Sequence, residues 1–150
     1  MWEYKIQVQW EKQEIPYKRM VKLTSKELPE IIATTPENRD GFAGYWSPEH
    51  LFVAAASVCL STTFLEIAHR SNLKIEKFRV ESTAIADSIK IENISRTVIT
   101  EIREKFYLQL TDSKFEKKAR RVVEKSVENC IIANSVKSKV STELILEYDN

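Results

Sequence analysis

The chain has 150 residues, 43% of them hydrophobic and 30% charged, with 23 Lys and Arg against 22 Asp and Glu. A chain of that length buries about 70% of its unfolded surface around one core, so a single domain over residues 1–150 is expected. Balanced charge with no long run of one sign leaves no polyanion-binding stripe and argues against a nucleic-acid partner, and two cysteines are too few for a disulfide framework.

The opening segment, MWEYKIQVQWEKQE, alternates Trp2, Tyr4, Ile6, Val8 and Trp10 with polar residues, which predicts a half-buried strand. It lacks the basic-then-apolar order of a secretory signal. Ile15, Tyr17, Val21 and Leu23 predict a second strand. Ser25 to Arg39, interrupted by Pro29 and Pro36, reads as irregular or briefly helical. Ser47-Pro48-Glu49 then starts a helix: Ser caps, Pro suits the first helical position, and Glu faces the positive end of the macrodipole. From there to about Arg70, apolar residues cover nearly every side. A helix apolar all round has to be buried all round, and cover that one short chain lacks is expected from a second subunit. The uncharged run from Leu51 to Leu65 falls short of the roughly 20 apolar residues that span a bilayer. No membrane partner is expected, and the predicted location is the cytoplasm.

Lys74 to Ala86 and Ile94 to Leu110 alternate and, separated by the polar DSIKIEN, predict a long antiparallel hairpin. Its charged face, with Arg96, Glu101, Arg103, Glu104 and Lys105, reads as solvated. Ser113 and Glu116 form a candidate capping box for a second helix reaching Asn129. Phe115, Ala119, Val122, Ser126 and Cys130 follow at helical spacing, which puts Cys130 on a buried face at the helix end. Val140, Leu144 and Leu146 predict a last strand. The order β-β-α-β-β-α-β makes the fold class α+β, with mainly antiparallel sheet and two main helices.

Residues 39–59, RDGFAGYWSPEHLFVAAASVC, hold both glycines and one of the two cysteines. A buried Cys is ordinarily a small hydrophobe, so within AAASVCLS the thiol is either an inert core atom or half of a redox couple. Gly41 and Gly44 in a chain otherwise without glycine suggest a fixed, crowded turn before the helix. Arg39 precedes that turn, and a guanidinium near a thiol favours the reactive thiolate. Glu49 can hold the guanidinium's direction through a bidentate pair. Glu49 and Cys59, ten residues apart on one helix, lie about 15 Å apart along its axis. If they share a site, Glu49 comes from a neighbouring copy or acts only through Arg39, and a two-fold homodimer then makes two equivalent sites. Phe42, Tyr45, Trp46 and Phe52 are candidate apolar walls for an organic ligand. His50 and His69 stand 19 residues apart with no cluster around them, so no metal site is expected.

An Arg, a glycine-bearing loop, Ser-Pro-Glu eight residues after the Arg, and a small-residue helix with a Cys ten residues after the Glu together resemble the OsmC/Ohr family of organic hydroperoxide reductases. The likeness extends to the element order and to a second Cys at the end of the second helix. It implies an intertwined homodimer and a thiol-dependent peroxidase acting on organic hydroperoxides, and less well on hydrogen peroxide. In that reading Cys59 is the peroxidatic thiolate, Arg39 and Glu49 its activating pair, and Cys130 the resolving thiol. No bound cofactor is implied; an external dithiol reductant resets the enzyme. Arg19 is a rival for the activating guanidinium, with the spacing from Arg39 to Ser47 favouring Arg39. The family commonly has Pro and a small polar residue after the second Cys, whereas this chain has Ile131-Ile132-Ala133. That departure keeps a second reading open, a dimeric small-molecule-binding module with inert buried thiols.

Overall fold

In the computed structural model, which describes residues 2–11, 14 and 19–148, the chain divides into two compact units, Met1–Phe52 and Val53–Asn150. The first holds an antiparallel meander, β1 (Gln7–Gln9), β2 (Val21–Thr24) and β3 (Ile31–Ala33), with Val8 opposite Leu23 and Lys22 opposite Ile32. The expected first strand is therefore shorter, and it is not half-buried: Trp2, Tyr4, Ile6, Val8 and Trp10 are all exposed. Alternation buries a face only where another layer covers it, and in the single chain this row is uncovered. Val21 and Leu23 fall in β2 as expected, while Ile15 and Tyr17 lie outside the described residues. β3 corrects the irregular reading of Ser25–Arg39. Pro29 and Pro36 flank Ile31-Ile32-Ala33 and bound a strand rather than break one. The helical turn expected there is a 3₁₀ turn at Glu37–Arg39.

Helix α1 runs Pro48–Arg70, and it starts for the predicted reason. Ser47 Oγ accepts the backbone N–H of His50 at 3.2 Å, and the Ser47 carbonyl accepts that of Leu51 at 3.0 Å. By length and composition alone α1 could cross a bilayer. Its packing is that of a core helix, because Leu60, Phe64 and Ala68 are buried in the core of the second unit. Only that i, i+4 stripe, with Ala56, is buried, whereas Val58 and Leu65 are 60% and 47% exposed. Burial all round is thus not met within one chain.

The second unit continues with β4 (Ile75–Ile91) and β5 (Ile94–Leu110). DSIKIEN does not separate the strands; all but its last two residues extend β4. The turn is Glu92-Asn93, whose φ values of 51° and 65° suit the right-handed twist of a two-residue hairpin. The register slips where Ile85 faces Glu101 but Ala86 faces Ile99, and the extra residue, Thr100, donates its hydroxyl to the Ile85 carbonyl at 3.2 Å. After a 3₁₀ turn at Ser113–Phe115 come α2 (Glu116–Glu128), α3 (Ile131–Ser135) and β6 (Lys139–Glu147). The cap preceding α2 is Asp112 rather than Ser113, its carboxylate accepting the Lys114 N–H at 2.9 Å. Strand order is β4-β5-β6, and β6 lies parallel to β5, with Ile102 opposite Val140 and Phe106 opposite Leu144. One parallel pair therefore joins the mainly antiparallel sheets, because the helices carry the chain back to the start of β5 before β6 begins. The architecture is α+β with two sheets and two main helices. The core of this unit gathers Phe106, Leu108 and Leu110 of β5, Ala119, Val122 and Val123 of α2, and the α1 stripe. Phe64 lies edge-on to Phe78 and Phe106, with ring centres 5.3 and 4.7 Å away.

Candidate functional site

In the first unit, the loop before α1 is as crowded as its glycines suggest. The N–H of Gly41 donates to the Pro36 carbonyl at 3.0 Å, and a Cβ added there would lie 1.7 Å from the Thr35 carbonyl oxygen. Gly44 takes φ +82°. The Trp46 carbonyl accepts the Thr34 N–H at 2.8 Å, which ties the loop's end to β3. This frame brings Arg39 Nη1 to 3.9 Å from Glu49 Oε1, a long ion pair with both side chains partly exposed. Glu49 Oε2 is buried with no partner among the described residues. The rival guanidinium is there too: Arg19 donates to the Arg39 carbonyl at 2.7 Å, so the two arginines converge through one backbone group. Tyr45 and Trp46 line a cavity of about 260 Å³ with Gly44 and His50. Phe42 lies edge-on to Tyr45 at 6.3 Å. Phe52 is half-buried on α1 and does not line that cavity. His50 was not expected in the site; its ring stands edge-on to Trp46 and its Nδ1 lies 2.8 Å from Ser47 Oγ. The i, i+3 spacing of Ser47 and His50 is the signal that could have found it.

In the second unit lie the two thiols, both free. Cys59 is half-buried on α1 and Cys130 is buried between α2 and α3. Phe115, Ala119, Val122 and Ser126 share the predicted face, and Cys130 continues it as the N-cap of α3, its sulfur accepting the Ala133 N–H at 3.4 Å. Ile131 occupies the first position of α3, where proline is tolerated, so the departure from the family pattern leaves this cap intact. Burial, first of all, pushes the Cys130 thiol up to about 11; the influence of the Cys59 thiol and the charge of Glu104 push the same way, against the Ala133 N–H. The Cys59 side chain is thus near enough to bear on the Cys130 thiol.

Glu104 corrects the reading of the hairpin's charged face as solvated. On β5, Ile102, Glu104, Phe106, Leu108 and Leu110 are buried and the residues between them point away, so Glu104 occupies a core slot with 3% exposure. Its carboxyl is raised by desolvation and held back by the Thr142 hydroxyl, which donates to Oε2 at 2.9 Å. Oε1 is buried with no partner among the described residues. Strict alternation from Ile102 and Phe106 would have found it, but Arg103 and Lys105 on the opposite face mask the pattern. Ser82, Glu104 and Thr142 stand in register across β4, β5 and β6, and Ser82 Oγ lies 2.7 Å from Ser57 Oγ of α1. A polar row therefore crosses an otherwise apolar layer of the second unit. Of the expected site residues, Arg39, Glu49, Phe42, Tyr45, Trp46 and Phe52 belong to the first unit, and Cys59 and Cys130 to the second. Among the described residues, no group of three or more His, Cys, Asp or Glu could hold a metal ion.

Residues 41–145 match the family described as OsmC-like protein. Among solved structures, an OsmC-like protein of unknown function from Vibrio cholerae is 23% identical, with a TM-score of 0.84 over 97% of this chain and 100% of that one. The organic hydroperoxide resistance protein OsmC of Legionella pneumophila is 17% identical, with a TM-score of 0.66 over 96% and 97%. An organic hydroperoxide resistance protein from Elizabethkingia anophelis, also 17% identical, gives 0.69 over 98% of both chains. These likenesses establish the fold. A comparison with curated proteins returned no match.

Proposed function

We propose, from the premise that this chain belongs to the OsmC-like protein family, that it is a thiol-dependent peroxidase for organic hydroperoxides. One observation carries the reading: Cys59 and Cys130 are both free thiols of the second unit, and the Cys59 side chain bears on the titration of Cys130. Cys59 attacks the peroxide O–O bond as thiolate and releases an alcohol, leaving a sulfenic acid. Cys130 condenses with it to a disulfide, which an external cytoplasmic dithiol reduces. Arg39, held in direction by Glu49, activates Cys59, and the aromatic residues Phe42, Tyr45, Trp46 and Phe52 receive the organic part of the substrate. The half-exposed Cys59 supports its assignment as the attacking sulfur over the buried Cys130. The working form is a homodimer, supported by the exposed apolar row from Trp2 to Trp10 and by Val58 and Leu65 on α1. The names of the Legionella and Elizabethkingia structures point to the same substrate class.

The high pKa of Cys130 favours a second reading, a small-molecule-binding module with inert thiols. Reaction of the reduced protein with cumene hydroperoxide, followed by thiol mapping in the mass spectrometer, separates the two. A Cys59–Cys130 disulfide with peroxide consumption supports the enzyme; two intact thiols and unconsumed peroxide support the binding module.

A further inference from the structure

We propose that the open edge of β6 and the groove beside it form a docking site for an extended peptide segment of another protein, with apolar and basic side chains at alternate positions. β6 is the last strand in the order β4-β5-β6. It pairs with β5 in an unbroken parallel register, from Lys139 opposite Glu101 to Glu147 opposite Gln109. Its other edge pairs with no strand among the described residues. Every second residue of β6 therefore presents its N–H and C=O outward. Folds commonly blunt such an edge with a proline, a bulge or a covering segment. β6 has no proline and no register shift along its nine residues. A straight, unpaired edge of this kind is one to which an extended chain adds as a further strand.

The groove next to that edge selects the chain that fits. It lies between α2 and β6 and has a volume of about 410 Å³, within the range of ligand clefts. Val123, Val127 and Leu144 make it apolar, and Arg120, Glu124 and Glu128 bring charge. Arg120 is already taken by Glu116, whose Oε1 accepts from its Nε and Nη2 at 3.1 and 2.8 Å. Glu124 and Glu128 are exposed and stand four residues apart on one face of α2. Neither forms an ion pair among the described residues. The groove thus offers two unmatched carboxylates beside an apolar bed. A strand added to β6 continues the sheet, and its alternate side chains project toward α2. An apolar one packs on Val127 and Leu144, and a basic one two residues along meets Glu124 and Glu128. Main-chain hydrogen bonds supply affinity and the groove supplies selectivity. The docking uses no residue of the proposed peroxidase site, so it stands or falls apart from that reading.

The probe is a labelled heptapeptide with blocked ends, Thr-Leu-Thr-Lys-Thr-Leu-Thr, titrated with the full chain and followed by fluorescence anisotropy. Saturable binding is expected, and no binding overturns the proposal. Glu124→Gln combined with Glu128→Gln is expected to weaken it about tenfold, as is glutamate in place of the peptide's lysine; affinity unmoved by either change overturns the charge match. Two further peptides are N-methylated along one edge or the other. A strand added to β6 uses only one of its own edges, so one version is expected to lose binding and the other to keep it. Binding kept by both gives the groove to an amine-bearing side chain alone and overturns strand addition, as does loss in both. Hydrogen exchange read by NMR supplies the last measurement. The half of the β6 amides that do not reach β5 are expected to exchange quickly in the free chain and slowly with peptide. Protection of those amides without peptide means that a second copy of this chain covers the edge, and it overturns the proposal.

Discussion

The loop before α1 in the first unit and the thiol layer of the second unit use charge in opposite ways. Arg39 and Glu49 meet at 3.9 Å with side chains 56% and 39% exposed, a setting where water supplies most of the solvation and a pair contributes little to folding. Glu104 and Cys130, 3% and 2% exposed, have no water to fall back on, so every unmatched polar atom weakens the fold. The first region can orient a guanidinium at almost no energetic consequence. The second trades stability for a carboxyl and a thiol that are both raised above their solution values.

The comparison breaks most sharply at Cys59. Cys59→Ser is expected to abolish hydroperoxide consumption with little change in unfolding midpoint, whereas Cys130→Ser still allows one turnover per chain; a peroxide assay under single-turnover conditions separates them. Phe64→Ala, which empties the ring cluster in the core of the second unit, is expected to cost about 3–5 kcal/mol in urea unfolding. Glu104→Leu goes the other way, stabilising by about 1–3 kcal/mol at pH 8. Its sign follows from the raised carboxyl pKa: stability from that group is present below its ordinary value of 4.5 and is lost as pH rises through the folded value, so the gain at pH 8 exceeds that at pH 4. Cys130 acts likewise at alkaline pH. Its thiol is raised from 9.0 to about 11, so wild-type stability falls as pH climbs from 9 to 11, and Cys130→Ala flattens that fall in a series of thermal melts. Smallest of all, Glu49→Gln is expected to shift stability by less than about 1 kcal/mol, and less again in high salt.

How much was legible depended on the range of the forces involved. Ser47-Pro48 announced the start of α1 because capping is local. Gly41 and Gly44 marked the tight loop because only local backbone crowding was at stake. The parallel direction of β6 was not legible, since nothing in Val140, Leu144 and Leu146 encodes which neighbour they pair with. β3 was missed because Pro29 and Pro36 read as breakers when they are boundaries. Glu104 was assigned to solvent because its neighbours Arg103 and Lys105 belong there, and a one-residue pleat reverses the meaning of a charge. That Cys59 and Cys130 belong together came only from the family likeness; seventy residues of intervening fold separate them, and no local pattern records it.

The hairpin of β4 and β5 carries one more consequence. Each strand has 17 residues, about 56 Å of extended chain, and beyond the bulge at Thr100 the residues from Ala86 to Thr97 are exposed. Within the single chain that distal arm is held by its own ladder alone. A dye or affinity handle grafted beside Asn93 therefore sits at the tip of an exposed arm, outside the core of the second unit, which makes it the place to tether the protein for single-molecule work.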